Sequence, residues 1–131
     1  KGMRPGDWRW FAAPRPVAAV TGAALLVSTS VFRRVGGFDI ELPTVGQDVD
    51  FCLKIQQRGL VNWVLPQIRW IHHEGASRGH AIDRQQVSLM YRKWGTFLTA
   101  NPYYSSTFTR WSERPAFSLG EGAYPWRRVL L

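Results

Sequence analysis

Apolar positions recur most regularly between 83 and 98. Val87, Met90, Tyr91, Trp94, Phe97 and Leu98 fall at helical spacing, which predicts an amphipathic helix with Asp83 as its cap. Met and aromatics in such a stripe are core far more often than a ligand site. A second helix is predicted over 47–59. Val49, Cys52, Leu53 and Gln56 share one face, Asp48 and Asp50 occupy the first turn, and Lys54 and Arg58 lie toward the end. That charge order suits the helix dipole, and Gly59 is placed to end it. "STSVFRRVGGF" (28–38) reads as a short helix capped by Ser28 or Thr29 and stopped by Gly36 and Gly37.

Strand patterns are fewer. "VAAVTGAALLV" (17–27) is a continuous apolar run with Gly22 inside it, predicting a buried strand with a bulge or close backbone approach. "LVNWVL" (60–65) is a strand ended by Pro66, and "IRWIH" (68–72) a second one. Residues 1–16 are a basic, extended lead-in, 39–46 a loop, and 99–131 an irregular tail rich in Pro, Ser, Gly and aromatics. The order of elements implies an α/β layer, but a doubly wound sheet needs more strands than these. The missing strands are expected in sequence beyond this stretch.

Composition narrows the classes. The 131 residues suit one small domain or part of a larger one. The chain opens on Lys1, not Met, and so reads as a piece of a longer protein. Seventeen Lys and Arg against nine Asp and Glu give a net charge of +8, a field that attracts nucleotides, nucleic acid or anionic membrane. Arg4, Trp8, Arg9, Trp10 and Arg15 near one end, and Arg110, Trp111, Arg114, Trp126, Arg127 and Arg128 near the other, interleave cations with stacking surfaces. No nucleic-acid-binding signature accompanies them, so a non-catalytic anion- or nucleic-acid-binding module stands as the alternative reading. The single cysteine, Cys52, excludes an internal disulfide or a multi-thiolate metal site. No apolar run approaches the roughly 18 residues that span a bilayer.

Two stretches carry candidate chemistry. In "GQDVDFCLK" a carboxylate in the first turn of a helix is held ionised and can take a proton from an attacking hydroxyl, although Asp at a helix start is also a common preference for its own sake. In "IHHEGASRG" (71–79), His72 and His73 are adjacent, so on a regular strand only one of them can face a given site. Neutral imidazole suits a divalent metal. Ser77 and Arg78 could hold phosphate oxygens, but they lack P-loop spacing. Taken alone, this stretch fits a strand end turning into solvent.

In order and spacing, "TGAALLVSTSVFRRVGGFD", "GQDVDFCLKIQQRG" and "IHHEGASRG" together resemble the C-terminal half of family 2 inverting glycosyltransferases, which have the GT-A (nucleotide-diphospho-sugar transferase-like) fold. "WGTFLTANPYYSS" is similar to the tail of the branch that holds rhamnosyl- and O-antigen-type sugar transferases. The resemblance covers residues 17 to 108. It implies a partial GT-A fold: a mixed sheet with flanking helices, its N-terminal nucleotide-binding half absent.

The resemblance also implies roles. The family's acidic pair at the helix start becomes Gln47–Asp48 here, so Asp48 takes the position of the general base on the acceptor hydroxyl and Gln47 can only hydrogen-bond to the acceptor. Asp50 matches a second family acid, of more structural character, and is counted with Thr21, Gly22, Gln47, Ser77 and Arg78 among the expected substrate-binding residues. Thr21 and Gly22 match the segment lining the donor–acceptor cleft. His72, with His73 as the alternative, matches a histidine that approaches the divalent metal, Mn²⁺ or Mg²⁺. The family's Asp-x-Asp metal motif is expected upstream; "DVD" at 48–50 imitates it in the wrong context. The implied partners are a nucleoside-diphosphate sugar and a glycan or lipid-linked acceptor, and the implied location is the cytoplasm, with the cytoplasmic face of a membrane as the place of peripheral contact. The 131 residues alone are expected neither to bind metal nor to transfer sugar.

Overall fold

The structure is a computed structural model that describes residues 13–68, 71 and 83–109. Strand β1 spans Arg15–Val17 and is followed by a 3-10 turn at Gly22–Ala24. Helix α1 is Thr29–Arg34, α2 Gln47–Gln57, β2 Asn62–Val64 and α3 Arg84–Thr99. Among the described residues, β1 and β2 form a two-stranded antiparallel sheet, with Arg15 opposite Val64 and Val17 opposite Asn62. These elements make a small α/β layer. The mixed sheet implied by the resemblance is not formed among the described residues.

The helix expectations correspond closely to the structure. Ser28 Oγ accepts from the Val31 N–H at the start of α1. Asp83 Oδ1 accepts from the Gln85 and Gln86 N–H groups at the start of α3. Both satisfy N–H groups that a helix start leaves orphaned. The α1 end is a Schellman motif, with Gly37 N–H on Phe32 O and Gly36 N–H on Arg33 O. The end of α2 repeats it, with Leu60 N–H on Ile55 O and Gly59 N–H on Gln56 O. Residues 100–109 are turns and irregular chain with one bridge residue, Phe108, and Tyr104 Oη donates to Thr109 O at 2.7 Å.

The strand expected over 17–27 is corrected. Arg15 and Pro16, assigned to the lead-in, pair in β1, and only Val17 of the apolar run joins them. Beyond Val17 the chain finds no strand neighbour among the described residues. Thr21 Oγ1 accepts the Ala23 N–H and so caps a 3-10 turn where the strand was expected to continue. Leu26 is 99% exposed. Ile68 and Ile71 are likewise outside any strand; the rest of 68–72, including His72, lies outside the described residues.

Helix α2 is the centre of the core. On one side Leu53 packs with Leu42, Met90 and Trp94, joining α2 to α3. On the other, Phe51 and Ile55 pack with Val35. Phe32, Phe38 and Phe51 form a ring cluster with centroids 5.1 to 5.5 Å apart, in the tilted and edge arrangements that aromatic quadrupoles favour. The helix is therefore buried on two faces, more than the one stripe read from its sequence. No described helix is long and apolar enough to cross a membrane.

Candidate functional site

The site lies where α2 begins. Gly46 is the N-cap residue at φ 74° and supplies no capping side chain. A left-handed backbone favours glycine, and a Cβ here would meet Met90 Cγ at 2.9 Å. Helix α3 thus presses directly on the entry to α2. The preceding loop is held by the buried Gln86, whose Oε1 accepts the Thr44 and Val45 N–H groups at 3.0 and 2.8 Å. Its Nε2 donates to Asp83 Oδ2 at 2.6 Å and to Thr44 Oγ1 at 2.9 Å. Sequence reasoning missed Gln86: it occupies a polar position of an amphipathic helix, and nothing local marks it as buried.

Asp48, half-buried, stands in the first turn with Gln47 beside it. Its Oδ2 accepts the Gly22 N–H at 2.8 Å and its Oδ1 the Val49 N–H at 2.9 Å. Gly22 is pressed against it: a Cβ there would lie 3.3 Å from Asp48 Cβ. Thr21 and Gly22 are exposed at this point. The structure therefore brings Gly22 and Asp48 together across 26 residues of sequence, with Thr21 and Gln47 as their neighbours in the chain. A carboxylate aimed by two backbone amides, with exposed chain on one side, can accept a proton from a hydroxyl delivered to it.

Asp50 is placed elsewhere. It is fully buried, with 0% of its surface exposed. Trp94 Nε1 donates to its Oδ1 at 2.9 Å, and Lys93 Nζ pairs with the same oxygen. Lys54 Nζ stands 3.1 Å from Oδ2 while donating to Gly37 O at 2.7 Å. Burial by itself would raise the Asp50 pKa, but the bonds from Lys93, Trp94 and Lys54 outweigh it and hold the carboxyl below its ordinary value. Lys93 also reaches Asp39 Oδ2 at 2.6 Å. Burial opposes its charge too, and the two carboxylates hold its pKa above the ordinary lysine value. Asp50 is thus a tie between α2 and α3, and its surroundings leave no face for a substrate.

Among the described residues no cluster of three His, Cys, Asp or Glu converges. Asp48 is committed to amides and Asp50 to lysines. The other expected site residues, His72, His73, Ser77 and Arg78, lie outside the described residues.

Comparison with known proteins gives three informative relatives. An uncharacterized protein of Sinorhizobium fredii is 38% identical over 96 residues, 67% of this chain and 11% of the relative. The O-antigen biosynthesis protein RfbC of Myxococcus xanthus is 35% identical over 94 residues, 70% of this chain and 7% of the relative. The N-acetylglucosaminyl-diphospho-decaprenol L-rhamnosyltransferase of Mycobacterium tuberculosis is 35% identical over 65 residues, 50% of this chain and 21% of the relative. The chain spans between 7% and 21% of the length of these relatives. No family profile and no solved structure matches it. The names of the last two relatives agree with the rhamnosyl- and O-antigen-type branch whose tail "WGTFLTANPYYSS" resembles.

Proposed function

The chain is a relative of glycosyltransferases of the rhamnosyltransferase branch, and from that premise we propose that the full-length protein transfers a sugar from a nucleoside diphosphate to a saccharide or lipid-linked acceptor with inversion. Asp48 is the general base. The acceptor oxygen forms a bond to the anomeric carbon while its proton passes to an Asp48 oxygen. The bond from the anomeric carbon to the diphosphate breaks, and the nucleoside diphosphate leaves with the electron pair. Attack from the face opposite the leaving group gives inversion.

The observation that carries this reading is the 2.8 Å bond from Gly22 N–H to Asp48 Oδ2. The motif resemblance assigned Gly22 to the cleft lining and Asp48 to the base independently, and they meet. Thr21 and Gln47, beside that bond, are the proposed acceptor contacts. A GT-A fold of family 2 type and a location in the cytoplasm, or at the cytoplasmic face of the membrane, belong to the same proposal.

A divalent cation, Mn²⁺ or Mg²⁺, would supply charge against the leaving diphosphate when bound. His72 (or His73), outside the described residues, is the proposed ligand from this chain, and Ser77 and Arg78 are the proposed phosphate contacts. The 131 residues by themselves are proposed to be inactive.

The test takes its probes from the mycobacterial relative's name: a nucleoside-diphosphate L-rhamnose donor and an N-acetylglucosaminyl-diphospho-prenol acceptor. In the full-length protein, Asp48→Asn should lower transfer by about a hundredfold or more, the scale of a lost general base, while donor binding measured by calorimetry persists. Transfer by Asp48→Asn at the unsubstituted rate overturns the assignment.

A further inference from the structure

The chain bends at Ala18 and runs on to the 3-10 turn that begins at Gly22, and beyond Val17 it pairs with no strand among the described residues. Its backbone instead bonds to polar side chains along one edge of α2. Gln56 Nε2 donates to Ala18 O at 2.7 Å and to Val17 O at 3.1 Å. Cys52 Sγ faces Val20, 3.5 Å from its N–H and 3.9 Å from its carbonyl. Asp48 Oδ2 takes the Gly22 N–H at 2.8 Å. Asn62 Nδ2 closes the far end, donating to Ala18 O and Cys52 O, each at 3.0 Å.

The spacing explains why this works. Positions 56, 52 and 48 step back four at a time along the helix, while 18, 20 and 22 step forward two at a time along the facing chain. Four helical residues advance about 6.0 Å, and two residues of open chain advance at most about 6.6 Å. The two repeats nearly coincide over three steps, so an antiparallel chain lies in register with a ladder of side chains on α2. A slip of two residues would offer Asp48 the N–H of Val20 or Ala24 instead, and Gly22 would no longer lie against it.

We propose that Gln56 and Cys52, with Asn62, are positioning residues for the base: they set the register of residues 17–22 along α2, and so fix the Gly22 amide on Asp48 and the orientation of its carboxylate. They act through Asp48 and need not touch substrate. This rests on the reading of Asp48 as general base. Gln56 and Cys52 continue the inward stripe of α2, and the ladder gives the first of them a reason to be polar.

The test uses the full-length protein and the rhamnosyl donor and prenyl-linked acceptor probes. Gln56→Met keeps the stem and removes both donors. Turnover should fall by about tenfold or more, since a displaced reacting group can cost up to a hundredfold, with donor KM unchanged. Hydrogen exchange at the Gly22 amide should quicken while the amides of α3 stay protected. In the Asp48→Asn background, Gln56→Met should cost nothing further; a residue with a merely structural role would cost the same in both backgrounds.

Unchanged turnover in Gln56→Met, or equal losses with and without the Asp48 carboxylate, overturns the proposal and leaves the transferase reading intact. An unsubstituted protein inactive on the probes, or a fully active Asp48→Asn, overturns the transferase reading and this proposal with it. Should Gln56→Met not fold, Cys52→Ala removes the middle rung and is read by the same criteria.

Discussion

Two carboxylates two positions apart on α2 meet opposite fates, and the difference is a matter of direction. Asp48 leaves the helix toward the Gly22 amide and the exposed Thr21–Gly22 turn. Asp50 points inward to Trp94, Lys93 and Lys54. The sequence places both in the first turn, where the helix dipole favours either. It does not disclose that α2 is covered on two sides, so the inward direction of Asp50 was hidden behind the apolar stripe at Val49, Cys52 and Leu53. Removing one partner of a buried ion pair costs about 3–5 kcal/mol where the other charge is left buried. Here the lysine side chains are 20% and 28% exposed and can turn toward water. Asp50→Asn should therefore destabilise by about 2–3 kcal/mol, read as a lower urea midpoint at pH 7. A midpoint equal to that of the unsubstituted chain would show that the tie contributes nothing.

At the scale of elements, helices were legible and the strand at 17–27 was not. Helices α1, α2 and α3 announce themselves through local signals: Ser28 and Asp83 at starts, Gly36 and Gly59 at ends, and periodic apolar residues between. The run 17–27 carried an equally clear apolar signal, but a strand needs a partner for its backbone. What it meets is a helix edge some 30 to 40 residues away, with side chains in place of a neighbouring strand. No local pattern reports that. The loop before α2 is similar, since its order comes from Gln86 and Met90 on α3. Gly46→Ala tests that junction. It combines a positive φ of 74° with a Cβ 2.9 Å from Met90 Cγ, so a loss of about 1–2 kcal/mol is expected from backbone strain. The methionine is flexible and can give way, which places most of the cost in the backbone. Gly46→Ala/Met90→Ala should therefore recover little of the loss from Gly46→Ala, measured against Met90→Ala alone; full recovery would assign the cost to the contact.

For the whole molecule, the net charge of +8 and the buried ion pairs act together on pH dependence. Asp50 and Asp39 are both held below the ordinary carboxyl pKa: Asp50 by Lys93, Trp94 and Lys54 against the cost of burial, Asp39 chiefly by its bond from Lys93. A depressed carboxyl contributes stability that is present above its unfolded pKa of about 3.9 and lost as pH falls through the lower folded value. On the alkaline side Lys93 is raised, so its contribution is complete below about 10.4 and lost as pH rises through its folded value. Burial pushes the Cys52 thiol up as well, and the unfolded chain begins to release that proton near its ordinary value of about 8.5. Acid also neutralises nine carboxylates and leaves seventeen Lys and Arg unopposed, so repulsion adds to the lost pairs. Base lowers the positive charge and relieves repulsion while the pairs weaken. The urea midpoint should thus be flat from about pH 5 to 8 and fall more steeply below pH 4 than above pH 9. In Asp50→Asn the acid limb should become shallower, because the most buried of the depressed carboxyls no longer titrates, while the alkaline fall assigned to Cys52 persists. An acid limb of unchanged steepness in that variant would place the acid sensitivity in the net charge and not in the tie between α2 and α3.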